Sequence, residues 1–374
     1  MNDLSGRCRS DPPADPRTPM PATPSLRSAL PHPRELVAFG PHDGAHRVAL
    51  RAGISMAVPL LLLWVLGRTD LALYATFGAF TALYGRRHTH RPRLLMQASA
   101  AAYLVAMVTI GTAVALSPQR DWLIIPVVTL AAVGAAYLSD ALHWHPPGPL
   151  FPVFAVTACA SVPVEATRIP EAFALAAASA AFSLLIGVSG IAAPRARLLP
   201  ATPWRPSFRA AAVRSTTRAG MLRFGAVVLI AGAIPTATGL GHPYWAMVSA
   251  VAAVSGADAT ARLVRAGHRM LGTVIGVAIA AALLALPLSP LVTIGVVVLL
   301  QMLAELVVGR NYGLTLALIT PLAILMVELA HHTDEFVLLR DRALETAIGV
   351  AVGVAATLLS HAIATRTTRP TPEG

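Results

Sequence analysis

The sequence predicts an all-α polytopic membrane protein of about twelve transmembrane helices, arranged as two parallel six-helix repeats. Three observations carry this. Of 374 residues, 55% are hydrophobic and only 13% charged, with mean hydropathy +0.65, and a soluble domain so poor in charge would precipitate. Apolar runs recur along most of the chain, many close to the roughly 20 residues that a hydrocarbon core requires at ~1.5 Å rise. Short motifs of the first half return in order in the second.

Residues 1–46 are rich in Pro, Arg, Ser and Asp without hydrophobic periodicity, which predicts a disordered cytoplasmic tail. That tail has no apolar core of the signal-peptide kind, so targeting falls to the first spanning helix. Helices are expected at about 48–66, 70–85, 94–116, 122–140, 149–163 and 171–193, forming a first membrane repeat over 47–193. A basic, Pro-rich linker over 194–214 should lie along the cytoplasmic surface. A second repeat over 215–364 follows, with helices at about 215–235, 243–258, 270–286, 290–308, 313–330 and 341–364, then a cytoplasmic tail over 365–374. Pro59, Pro126, Pro152, Pro163, Pro235 and Pro321 fall inside these runs, where neighbouring helices re-satisfy the freed backbone groups. Gly272-Thr-Val-Ile-Gly276 and Gly349-Val-Ala-Val-Gly353 carry the Gly-xxx-Gly spacing that lets backbones approach closely.

The net charge is +11, and all 29 basic residues are Arg. These fall between apolar runs rather than on one face of a soluble fold, which argues for topology and contact with membrane lipids and against nucleic acid. With a cytoplasmic N-terminus, most Arg sit in inward segments, while Arg68, Arg120, Arg168, Arg340 and Arg342 fall in outward loops beside Asp70, Asp121, Glu165, Asp334 and Glu335. Both termini are therefore expected inside a multi-pass protein of the inner (plasma) membrane. Cys8 in a polar tail and Cys159 in an apolar run do not pair, so no disulfide framework follows.

The repeat is seen in particular residues. Arg51-Ala-Gly opens the first helix and Arg218-Ala-Gly the seventh; Tyr74 and Tyr244 sit alike in the second and eighth; Thr157 and Thr320 sit at the same relative depth in the fifth and eleventh. Six helices per half give both copies one orientation, related about an axis along the membrane normal.

The second half also resembles a known family. His242-Pro-Tyr-Trp-Ala-Met-Val-Ser, Ala259-Thr-Ala-Arg262, Arg269-Met-Leu-Gly-Thr-Val-Ile-Gly276, Arg310-Asn-Tyr and Ile319-Thr-Pro321, in that order and spacing, are similar to the fusaric acid resistance family of inner-membrane proteins. That family includes the aromatic acid exporters and is related to the plant aluminium-activated malate transporters. The resemblance covers residues 215–364 directly and 45–193 through the repeat. It implies export of aromatic or other organic carboxylates. This chain departs from the larger exporters in having only the linker between its halves, and a degenerate first half.

Carboxylate transport needs cations, hydrogen-bond donors and an energy source. Arg262, Arg265 and Arg269 share one helical face and form a candidate basic mouth on the cytoplasmic side, or a topological anchor. Arg310 and Asn311, at the break between the tenth and eleventh helices, offer a bidentate fork and free helix N–H groups to a substrate, or simply make a tight turn. Tyr244, Trp245, Ser249 and Thr320 are candidate substrate contacts, although Tyr244 and Trp245 also fit an interfacial belt. Glu305, with Gln301 one turn earlier, is the candidate proton-coupling pair; the alternative is a structural bridge from Glu305 to Arg or His, such as His361. Asp140 and Asp258 read as capping or pairing groups. His143 with His145, and His331-His332, lack enough ligands for a metal site. No phosphate loop, nucleophile elbow or zinc-protease motif appears, so neither an enzyme nor a cofactor is expected.

The expected function is proton-coupled antiport of organic anions along a path between the halves, lined by the eighth to eleventh helices. A passive anion channel and a non-transporting scaffold are the alternatives. A homodimer is left open as an assembly.

Overall fold

Runs dense in Ala, Leu and Val fold as helix throughout, with no strand among the residues that the computed structural model describes: 33–41, 44–86, 88, 90–189, 204–241, 243–330 and 334–367. In chain order the helices are α1 Pro33–Val37, α2 His46–Val65, α3 Ala72–Ala79, α4 His90–Val114, α5 Arg120–Ala141, α6 Leu150–Ala160 and α7 Arg168–Val188. After the linker come α8 Phe208–Val213, α9 Ser215–Thr238, α10 Tyr244–Val254, α11 Ala259–Leu284, α12 Pro290–Val307, α13 Tyr312–Ala330 and α14 Glu335–Thr367. One 3₁₀ turn precedes α3 at Thr69–Leu71 and another follows it at Phe80–Leu83.

Nine of the described helices are long and apolar enough to cross a membrane: α2, α4, α5, α7, α9, α11, α12, α13 and α14. At the other three predicted crossings stand α3, α6 and α10. The latter two have 11 residues each, or about 16 Å of rise, roughly half a hydrocarbon core. Their punctuation explains their length. Leu150 follows the Pro146-Pro147-Gly148-Pro149 segment, and Val254 precedes Ser255-Gly256. Every residue of α3 and α10 is buried, as expected of a helix that is apolar all round.

The same helix pairs meet before and after the linker. Helix α3 packs on α7 as α10 packs on α14, α4 on α6 as α11 on α13, and α4 on α7 as α11 on α14. Two further pairings join the halves, α2 with α12 and α5 with α9. Glycines make the closest approaches. A Cβ on Gly349 would strike Ala246 O and Ser249 Cβ, and one on Gly78 would strike Ala176 O and Ser179 Cβ. Gly276 faces Ala317 O and Thr320 Cβ on α13, while Gly111 faces Val156 O and Cys159 Cβ on α6. By packing, then, Cys159 rather than Thr157 stands where Thr320 stands, because the contact at Gly fixes the register.

Apolar side chains pack together at the boundary between halves. Phe77 meets Phe154 with ring centroids 5.1 Å apart, Phe154 meets Trp245 at 5.6 Å, and Thr76 meets Met326 Sδ. One hydrophobic cluster runs through both halves. A path along this boundary, as expected from the repeat, is therefore filled by side chains. The tail also differs from expectation, since Pro33–Val37, within the stretch read as disordered, is helical; residues 1–32 lie outside the described residues. The described part of the linker is anchored too, Trp204 Nε1 donating to Leu142 O at 2.7 Å and Ser207 N to Ala141 O at 2.8 Å.

Candidate functional site

Two buried arginines and a buried glutamate converge inside the second half, among α10, α11, α13 and α14. Helix α14 begins six residues before the predicted run, so Arg342 is not in an outward loop but one turn from Glu345 on a helix face that also carries Thr346 and Gly349. Gly349 draws this face onto α10, and burial follows: Arg342 is 1% exposed and Glu345 and Thr346 are fully buried. The Arg342 guanidinium lies over the Trp245 indole, its Cζ 3.9 Å from the ring centroid, and its Nη2 points to Thr320 Oγ1 at 3.4 Å. Tyr244 stacks beside Trp245 with ring centroids 4.4 Å apart.

From α11, Arg269 enters the same interior, 3% exposed. Its Nε donates to Ser249 Oγ at 3.2 Å, and Ser249 Oγ donates to Thr346 Oγ1 at 3.4 Å. The two arginines lie within electrostatic range of each other. Several of their donors are buried without an acceptor among the described residues: Arg342 Nε and Nη1, Arg269 Nη2, and nearby Trp245 Nε1. An unmade hydrogen bond of this kind costs about 1–3 kcal/mol each, more for a charged group. An anion placed here would satisfy several at once.

Toward one end of the bundle, the Arg265 guanidinium lies 4.0 Å from the Tyr312 ring centroid, and Arg262 Nε donates to Gly256 O at 3.1 Å. The predicted basic face is thus divided: Arg269 belongs to the interior site, Arg265 flanks it, and Arg262 secures the α10–α11 turn. Asp258 caps α11, accepting from Ala261 N at 2.8 Å.

Arg310 and Asn311 do not join the site. They hold the segment after α1. Asn311 Nδ2 donates to Leu36 O at 3.3 Å and Ala38 O at 3.1 Å; Arg310 Nε donates to Gly40 O at 3.2 Å; and Gly40 N donates to Arg310 O at 2.9 Å. His268 Nε2 adds a bond to Leu36 O at 2.9 Å. Asn311 Oδ1 accepts from Leu314 N at 2.9 Å, so the N–H groups expected to face a substrate include one already capped by Asn311 itself.

Glu305 and Gln301 are also apart from the site. Gln301 Nε2 donates to Glu305 Oε1 at 3.3 Å. The other oxygen is bridged across the halves by Arg86, whose Nη1 lies 2.6 Å from Oε2 and whose Nη2 donates to Glu305 O at 2.8 Å. The bridging group is Arg86, not His361.

Two cavities lie elsewhere. One of about 440 Å³ is lined by His88, Asp140, His143, Trp144, His145 and Arg214. Burial and the neighbouring Arg93 depress the His88 pKa. The other, about 570 Å³, is an apolar groove between α4 and α7. No group of three or more His, Cys, Asp or Glu among the described residues is placed to hold a metal ion; His331 and His332 lie outside those residues.

Arg342, Glu345 and Arg86 are the residues that sequence reasoning passed over. Arg342 and Glu345 had a signal: with Thr346, Gly349 and Gly353 they share the small-residue face that packs inward. Arg86 had none, because its partner is 219 residues away.

A helical bundle with nine candidate spans and ionised groups enclosed in its interior is a multi-pass membrane protein. Residues 227–356 match the family described as fusaric acid resistance protein-like. The chain is also similar to the uncharacterized membrane protein YvaC of Bacillus subtilis (strain 168), 31% identical over 139 residues, which are 37% of this chain and 22% of that protein. The chain thus spans well under two thirds of that relative's length. No solved structure matches. The likeness to the fusaric acid resistance-like family thus lies in the second half, over about a third of the chain.

Proposed function

We propose that the protein exports organic anions, aromatic carboxylates among them, across the inner membrane, binding them at Arg342 and Arg269 inside the second half. The observation that carries this reading is the pair of buried guanidinium groups with unused N–H donors, that of Arg342 over the face of Trp245. A carboxylate is the natural acceptor for such donors, and a flat ring suits the aromatic wall of Tyr244 and Trp245. Ser249 and Thr320 complete the lining. The family description, which names resistance to an organic acid, accords with this.

On this reading the chain is two six-helix repeats, supported by the matching helix pairs, with α3, α6 and α10 as buried half-helices. The end bearing Pro33–Pro41 faces the cytoplasm, supported by the concentration of Arg there. The first half lacks the charges: Leu104 stands seven residues before Gly111, as Arg269 stands before Gly276. That half serves as the frame against which the second works. Proton coupling enters through Glu305, whose protonation would release Arg86 and loosen the contact between halves.

A passive anion channel is the second reading, favoured by the placement of Glu305 in an ion pair away from the site. The deciding experiment is efflux of labelled benzoate from proteoliposomes with and without a pH gradient. Flux that disappears in Arg342→Gln supports the proposal. Flux that persists in Arg342→Gln and Arg269→Gln alike overturns it, and flux that survives Glu305→Gln unchanged favours the channel.

A further inference from the structure

Counting charges in the enclosed site leads beyond the binding of an anion to its valence. The interior holds two guanidinium groups, Arg269 and Arg342, and two carboxylates, Asp341 and Glu345, the latter one turn along α14 from Arg342. Asp341 is matched at 2.7 Å by the more exposed Arg340, so that this pair cancels. The next cation, Arg265, is partly exposed and engaged with Tyr312. The enclosed set thus sums to a single positive charge.

We infer that this site takes singly charged organic anions in preference to doubly charged ones, and that Glu345 is the residue that sets the preference; the inference rests on the anion-binding reading above. Net charge carried out of water is costly, and the cost falls when ligand and site cancel. A monoanion brings the enclosed sum to zero. A dianion leaves an excess negative charge and sets its second carboxylate against Glu345 in a medium where repulsion is weakly screened. Ser249, which accepts from Arg269, and Thr346, which accepts from Ser249, add hydroxyls but no charge to offset this. The selectivity is therefore a matter of repulsion built into the site as much as of attraction.

The test compares benzoate with phthalate, one ring bearing one or two carboxylates, both fully ionised at neutral pH. Each is used unlabelled to displace labelled benzoate from the purified full-length protein. Benzoate should compete at least about tenfold better than phthalate, a gap of roughly 1.4 kcal/mol. Glu345→Gln, which raises the site to two positive charges, should erase or invert that ratio, while Glu345→Asp should keep it. Phthalate competing as well as benzoate in the wild type overturns the inference and leaves the anion-binding reading intact. An unchanged ratio in a folded Glu345→Gln protein overturns the role of Glu345. Absence of saturable benzoate binding overturns both reading and inference. If Glu345→Gln fails to fold, the wild-type and Glu345→Asp ratios decide the matter.

Discussion

The guanidinium of Arg342 on α14 lies 3.9 Å from the centre of the Trp245 ring on α10. That stack joins two helices whose backbones already touch at Gly349, and it gives a fully buried cation a partner that cannot neutralise it. Removing the ring tests how much of the site depends on it. Trp245→Ala should lower stability by about 3–5 kcal/mol, through lost burial and an unsupported cation, while Trp245→Phe should cost markedly less. Unfolding in mixed detergent micelles, followed by far-UV circular dichroism, measures both.

Gly349 sits where any side chain meets main chain. Its added Cβ would press on Ala246 O, an atom that cannot swing away. Gly349→Val should therefore cost at least about 1–3 kcal/mol and displace α14 from α10. The accompanying signature is weaker protection of Trp245 from collisional quenching, compared with the wild type.

The Arg86–Glu305 bridge spans the two halves in a buried setting. Removing one partner leaves the other charge uncompensated, so Arg86→Ala or Glu305→Ala should each cost about 3–5 kcal/mol. The paired variant should cost much less than their sum. A double-mutant cycle read by thermal unfolding checks this, and simple additivity would show that the two side chains do not act as a pair.

The segment following α1 is held by side chains of Asn311, Arg310 and His268 and by Gly40 N donating to Arg310 O. Asn311→Ala removes two of those bonds and the cap of α13, and should expose the chain at Arg34 to trypsin several-fold faster, with stability reduced by about 1 kcal/mol from the lost cap. Appearance of a product shortened at Arg34, timed by mass spectrometry, reports it.

Asp70 bonds Arg168 Nη1 at 2.6 Å and Arg68 Nε at 3.3 Å. Burial alone would push its carboxyl up, but the bonds from Arg168 and Arg68 together outweigh this and hold it below its ordinary 3.8. Its stabilisation is thus present above pH 3.8 and is lost as pH falls through the lower folded value. These side chains are 38%, 30% and 42% exposed, so screening keeps the effect of Asp70→Asn to at most about 1 kcal/mol at neutral pH. The difference in melting temperature between variant and wild type should vanish well below pH 3.8.

Membrane residence, the helical class and some of the places where helices break were legible along the chain. Each follows from composition and from residues near one another in sequence, such as long apolar runs and Pro-Pro-Gly-Pro before Leu150; the break at Ser255-Gly256 was not legible, since the run read as 243–258 passes through it while the helix ends at Val254. The site was legible in part. Tyr244, Trp245, Ser249, Thr320 and Arg269 do come together, while Arg310 and Asn311 serve the main chain of residues 36–40, and Glu305 with Gln301 serves a cross-half bridge. A side chain's type says what it can bond, not which neighbour reaches it first.

By itself the sequence determined the solvent in which this protein lives, since 55% hydrophobic and 13% charged residues leave water no favourable contact with most of its surface. Only the tertiary structure decided where the few charges gather. Arg342 and Arg269 lie 73 positions apart, and they share one interior because glycines at 276 and 349 let α11 close on α13 and α14 close on α10, an outcome of packing geometry that no local pattern encodes.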